Sequence, residues 1–291
     1  MSQEPASSKS VQVVTDSTAD IPAAEVTRHH ISVVPLSIQF GDETFLDRIE
    51  ISADQFVERL QLSNELPKTS QPSVAAFEAA FQQAIAHDAD VVCVCLTAGL
   101  SGTYNAARLA AEAVASDRIT VIDSQSASMA TGWCAIAAAQ RAAEGGSRQE
   151  VVAAAESARG RYQLYAALDT LDYLHKGGRI GRARQLVGSM LSMKPIVAIE
   201  EGEVRPVERV RTWRKALERM VSLAEAQRPL ERLAVLHVGN PSDAAYIADR
   251  LKDLVGEGNV LIGEIGPVVA TYSGPGAIGI VTLRVESSST G

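Results

Sequence analysis

Aromatic side chains make up only 4% of this 291-residue chain, cysteines number three, and neither sign of charge forms a long block. No run of about 18 apolar residues occurs either, which excludes a membrane-spanning helix. The lack of charge blocks, at a net charge of -8, weighs against nucleic acid as the main partner. Cys93, Cys95 and Cys134 make no Cys-x-x-Cys pattern, and their odd count fits a reducing cytoplasm. Cys93 and Cys95 are two apart on an expected strand, so they read as buried hydrophobes on one face. Residues 1–10 are polar, without an apolar signal region, and are expected to form a disordered tail.

What the chain does have is an aliphatic core. Hydrophobic residues account for 46% and charged residues for 21%, as in soluble globular proteins. At roughly 150 residues per domain, the length suggests two domains. Strands are expected at 11–15, 91–97 and 119–123, a hairpin at 33–40 and 43–46 turning on Gly41-Asp42, and helices at 52–62, 73–87, 101–116 and 127–143. Ser52 and Ser73 suit helix caps. This alternation predicts an N-terminal α/β domain, residues 11–160, built on a parallel sheet, with ligands at the carboxyl ends of its strands near Asp16, Ser101 and Asp123. Beyond Gly160, long hairpins mix with helices. Strands are expected at 161–169, 233–238, 260–265 and 278–285, and a hairpin at 195–210 turning on Glu201-Gly202. Helices are expected at 214–226 and 243–255, with a broken helical stretch at 170–191. These predict an α+β domain over 161–286.

Three stretches carry chemical signals. Gly99-Leu100-Ser101-Gly102-Thr103 puts a hydroxyl at a strand-to-helix junction, where free backbone N–H groups can hold an anion or an acyl group. It also approaches the G-x-S-x-G elbow of serine hydrolases, with Thr103 at the last glycine. A serine acyl hydrolase using Ser101 is therefore the alternative function. Such an enzyme needs a histidine near the serine, and of the five available His237, at a strand end, is the best placed. Gly274-Pro275-Gly276-Ala277-Ile278-Gly279 matches G-x-G-x-x-G but runs into a strand, so it reads as a tight turn rather than a dinucleotide site. His175, Lys176, Arg179, Arg182 and Arg184 form a basic cluster, readable as a docking site for an acidic partner or as a solvated helix end. An interaction protein with no ligand stays open on these residues alone.

Thr15-Asp16-Ser17, Lys68-Thr69-Ser70-Gln71-Pro72-Ser73, Leu100-Ser101-Gly102-Thr103-Tyr104, Ile122-Asp123-Ser124, Tyr173-Leu174-His175-Lys176-Gly177-Gly178-Arg179-Ile180, Lys194-Pro195-Ile196 and Gly274-Pro275-Gly276 occur in the order and spacing of DegV proteins. The chain resembles that family from about Val11 to Val285. The resemblance implies a two-domain carrier that encloses one long-chain fatty acid and has no catalytic group, cofactor or metal of its own. A separate fatty acid kinase phosphorylates the presented carboxylate to an acyl phosphate, which serves phospholipid synthesis. It further implies that Thr69, Ser70 and Ser101 hold the carboxylate, with Gly102 beside them in the ligand site, and that Arg211 helps to meet the kinase; Arg179, from the basic cluster, is expected to dock the partner or to lie near the phosphate during transfer. The family usually carries a histidine where this chain has Tyr272; a phenol can donate to the carboxylate but adds no positive charge. A cytoplasmic monomer is expected.

Overall fold

A computed structural model describes residues 9–63, 65–186, 193–256 and 259–286. Residues 1–8 of the expected tail and the end of the helical stretch expected to reach residue 191 lie outside these. The first half runs β1 (Val11–Asp16), α1 (Ala23–Arg28), β2 (Ser32–Val34), β3 (Ser37–Phe40), β4 (Glu43–Leu46), α2 (Ala53–Leu62), β5 (Lys68–Ser70), α3 (Val74–Ala86), β6 (Asp90–Cys95), α4 (Thr103–Val114), β7 (Ile119–Asp123), α5 (Met129–Ala143) and α6 (Arg148–Arg159). The second half runs β8 (Tyr162–Ala167), α7 (Asp172–Lys176), β9 (Lys194–Glu200), β10 (Glu203–Val210), α8 (Trp213–Glu225), β11 (Leu230–His237), α9 (Pro241–Leu251), β12 (Val260–Glu264), α10 (Pro267–Ser273) and β13 (Ile278–Arg284).

The N-terminal sheet has the order β2-β1-β6-β7 and is parallel throughout. Its central strands are near-continuous runs of Val and Cys, as a sheet covered on both faces requires. Cys93 and Cys95 share one face of β6, with sulfurs 3.6 Å apart in the core. The C-terminal sheet has the order β10-β9-β8-β13-β11-β12, with β11 and β12 parallel and the other pairs antiparallel. A small sheet, β4-β3-β5, brings Lys68–Ser70 beside the first hairpin.

Helix α5 joins the two halves. It is buried from Met129 through Ile136, and the Trp133 indole donates to the Val281 carbonyl of β13 at 3.4 Å. Its alanines and Gly132 allow this close packing, as expected of a helix apolar on all sides. One apolar core therefore runs from Val13 and Val92 through Trp133 to Leu164 and Val281.

Several elements depart from the sequence reading. The arm expected at 33–40 is split between two sheets: β2 joins β1, while β3 leaves to pair with β4 and β5. Pro35 has no N–H for a ladder, and the Leu36 N–H is taken by the Ser17 hydroxyl at 3.0 Å. Helix α6 was not expected, although its capping box of Ser147 and Glu150 is a sequence-level start signal. Over its described residues, 170–186, the helical stretch holds the five-residue α7 and a tight 3-10 turn at Gly181–Leu186, because Gly178 and Gly181 adopt positive φ and stop the helix. Ser52 and Ser73 cap α2 and α3 as expected.

Candidate functional site

The carboxyl ends of the parallel strands are organised by two aspartates. Asp16, fully buried, accepts from the Thr18 N–H at 3.0 Å and hydroxyl at 2.5 Å, and from the Leu96 N–H at 2.8 Å. Burial pushes its carboxyl up to about 6 against the pull of these bonds. Asp123 accepts from the Ala98 N–H at 3.2 Å and the Gln125 N–H at 2.7 Å. Both side chains are occupied by the backbone, so they shape the loop from Leu96 to Gly102 rather than meet a ligand.

That loop ends where Gly102 caps α4 without a side-chain bond. The helix begins at Thr103, two residues later than the sequence suggested. The Ser101 oxygen accepts from the Thr103 N–H at 3.3 Å, and the two hydroxyls lie 2.9 Å apart. A Cβ on Gly102 would stand 2.0 Å from the Gln71 amide oxygen, so glycine is what lets the Gln71 side chain lie against the start of α4.

Ser101 and Gly102 line a cavity of about 360 Å³ between the two sheets, within the range of about 300–1,000 Å³ usual for small-molecule sites. Its wall is mainly aliphatic, with Leu36 from the first half and Leu164, Leu168, Val197 and Val281 from the second. Its polar end gathers Thr69, Ser70, Gln71, Ser101, Arg179 and Tyr272. All five residues expected to bind the ligand therefore meet at one cavity. Ser73 does not: its hydroxyl accepts from the Ala76 N–H at 3.1 Å and serves as a cap.

The polar end is tightly ordered. Thr69 on β5 and Tyr272 on α10 bring their hydroxyls to 2.6 Å. The Arg179 guanidinium lies over the Tyr272 ring, 5.0 Å from its centre, and donates to the carbonyls of Leu100 at 3.3 Å and Gly177 at 2.7 Å. A Cβ on Gly177 would stand 2.5 Å from the Tyr272 ring, so this glycine makes room for the phenol. A second cleft of about 780 Å³, lined by Lys68, Asp172 and Lys176 among others, shares Thr69, Arg179 and Tyr272 with the first. These three residues form the partition between an apolar interior and a polar exterior.

Arg179 is thus not a solvated helix end. It is half-buried, it lines the cavity, and it forms no ion pair among the described residues. Arg211 is exposed between β10 and α8 and lines neither cavity. Among the described residues the hydrolase constellation does not assemble: no histidine, aspartate or glutamate of these lines the cavity, and the His237 ring accepts from the Asn240 N–H at 3.3 Å instead. Gly274-Pro275-Gly276 forms the turn from α10 into β13, with Gly274 and Gly276 at positive φ. Gln71 and the inward face of α10 are lining elements that the residue-by-residue reading missed, since a seven-residue helix shows too little periodicity.

The DegV family model, whose description reads "Uncharacterised protein, DegV family", matches residues 10–285. A DegV domain-containing protein of Streptomyces coelicolor is 39% identical over 279 residues, covering 94% of this chain and 98% of that relative. Among solved structures, a fatty acid-binding DegV family protein from Thermus thermophilus has a TM-score of 0.88 at 31% identity, over 95% of this chain and 100% of that one. DegV of Bacillus subtilis, described as a fatty acid binding protein, has a TM-score of 0.85 at 33% identity over the same shares. The fold, with its parallel N-terminal sheet and mixed C-terminal sheet, is thus shared with solved relatives along almost the whole length, and the chain belongs to the DegV family.

Proposed function

We propose that this protein binds one long-chain fatty acid, with its acyl chain in the aliphatic cavity and its carboxylate at the polar end, and presents it to a partner fatty acid kinase. The observation that carries this reading is the polarity of a single cavity: an aliphatic wall closed at one end by hydroxyls and by a cation that has no ion pair among the described residues. A carboxylate taken out of water needs several donors, because a buried ion left unpaired costs many kcal/mol. Thr69, Ser101 and Tyr272 supply hydroxyls, Gly102 and Ser70 line the same end, and Arg179 supplies the positive charge that a phenol does not. The fatty acid-binding relatives from Thermus thermophilus and Bacillus subtilis support the ligand class.

The protein acts as a carrier in this reading. The kinase transfers a phosphoryl group to the carboxylate, giving an acyl phosphate for phospholipid synthesis in the cytoplasm, and no cofactor is held. The polar outer cleft lets phosphate chemistry reach the carboxylate past Thr69 and Tyr272, and Arg211 lies on an exposed surface suited to docking. Native mass spectrometry of the purified protein tests the reading. A co-purified mass of a C14 to C20 acid is expected, lost in the Thr69→Ala/Ser101→Ala double variant. A wild-type protein that takes up no fatty acid on titration overturns it.

A further inference from the structure

The loop that carries Ser101 is held from two sides, and the second side belongs to the C-terminal domain. Asp123 ties Ala98 and Gln125 from within the N-terminal domain. From the other half, the two-residue turn Glu201-Gly202 at the tip of the β9–β10 hairpin reaches across. The Gly202 N–H donates to the Gln125 carbonyl at 3.0 Å. A Cβ on Gly99 would stand 2.5 Å from the Gly202 carbonyl oxygen, and a Cβ on Gly202 would stand 2.5 Å from the Thr97 hydroxyl oxygen. Two glycines from different domains therefore let two backbones touch, one of them two residues before Ser101. Glu201 and Gly202 both take positive φ, at 50° and 80°, the conformation of a tight hairpin turn, so the tip is rigidly shaped.

The same hairpin lines the aliphatic cavity through Val197 and Ile199 on β9 and Val204 on β10. Its body touches the space for the acyl chain while its tip touches the loop of the carboxylate site. We infer that the β9–β10 hairpin tip, through Gly202 against Gly99, is the positioning element of the Ser101 loop, and so fixes the carboxylate site from the domain that holds much of the chain. This rests on the fatty acid reading for the nature of the ligand, but not for the contact itself. Gly202 touches no ligand; it acts through Thr97, Gly99 and Gln125.

The test uses Gly202→Ala and Gly99→Ala, which crowd the contact from opposite sides, with Gly41→Ala as control. Gly41 also has a positive φ, of 57°, at a hairpin turn, yet a Cβ there would meet nothing within 4 Å, so it carries the backbone strain without the contact. Affinities for decanoate and palmitate are measured for each variant, with amide hydrogen exchange of residues 97–102 before acid is added. Both contact variants are expected to bind about tenfold more weakly, by the same factor for the two chain lengths, because the loss lies at the shared carboxylate. Exchange at Gly99 and Ser101 is expected to quicken at least several-fold in both, and to be unchanged in Gly41→Ala. A loss that grows with chain length, wild-type affinity in both contact variants, or an equal loss in Gly41→Ala overturns the inference. If one contact variant does not fold, the other carries the comparison. Should the wild type bind neither acid, the fatty acid reading fails while the exchange data still decide whether the hairpin tip orders the loop.

Discussion

The phenol of Tyr272 and the hydroxyl of Thr69, 203 positions apart in the chain, meet at 2.6 Å on the wall between the aliphatic cavity and the polar outer cleft. Each group has one proton to give, so one of them donates to the other and the remaining proton is free to point at a third oxygen. In the proposed complex, the fatty acid carboxylate offers that oxygen.

Tyr272→Phe keeps the ring under Arg179 and removes the donor. Fatty acid affinity is expected to fall by about 1.5–3 kcal/mol, the range for a hydrogen bond to a charged group. Tyr272→His restores a group that titrates near pH 6.5, so affinity is expected to become tighter at pH 5.5 than at pH 8, a dependence the phenol does not confer. Titrations of the three proteins at both pH values check this. Equal affinity for Phe and Tyr, with no new pH dependence for His, leaves Tyr272 as packing only.

In the proposed complex, Arg179 carries the compensating charge. Arg179→Gln keeps a hydrogen-bonding side chain, though a shorter one, and deletes the cation, so affinity for a free fatty acid is expected to drop about 10- to 100-fold, the scale of one charge-assisted bond. The methyl ester of the same acid has no charge to pair, so its affinity is expected to stay nearly constant. Displacement of a fluorescent probe by acid and ester, measured side by side, decides the point. A parallel loss for both would assign Arg179 to shaping the loop through the Leu100 and Gly177 carbonyls rather than to charge.

Much of this was legible in the residues, and what was not has physical reasons. The Ser101 junction could be read locally, since a Val- and Cys-rich run, a Gly-Leu-Ser-Gly turn and an Ala-rich helix follow one another within 25 residues. Arg179 could not, because its neighbours in sequence are cations and the chain alone does not say which of them turns inward. The fold separates them: Arg182 pairs with Glu203 at 2.8 Å and His175 and Lys176 stay exposed, while Gly177-Gly178 bends Arg179 back over Tyr272. Likewise Pro35 marked a break in the expected hairpin, but the sheet each side would join depends on partners far along the chain.

Ala166 on β8 lines the aliphatic cavity with a small side chain. Ala166→Leu fills space there, so acids long enough to reach this position are expected to lose about 0.8 kcal/mol for each methylene displaced, while shorter acids bind as before. A series from C10 to C18 against wild type and variant reads the effect as a break in slope. A uniform loss at all lengths places Ala166 beside the carboxylate instead of along the chain.

Asp47 sits 1% exposed behind the cavity wall, accepting from the Ser17 hydroxyl at 2.6 Å, and burial pushes its carboxyl up to about 7 from 3.8. The folded state therefore holds this proton more tightly than the unfolded chain does. Its ionisation costs nothing below about pH 4 and costs progressively more as pH rises to 7 and above, up to about 4 kcal/mol. His29 and His237 act in the opposite sense over part of the same range, since burial lowers both, so whole-protein stability against pH does not isolate Asp47. A neutral isostere does. Asp47→Asn is expected to raise the denaturation midpoint most at pH 8, where the native carboxylate is charged, and about half as much at pH 5.5, where the folded group is protonated but the unfolded one is still ionised. Urea melts of both proteins at the two pH values give the difference directly. A variant destabilised equally at both would mean that the charged form is held by the fold rather than tolerated by it.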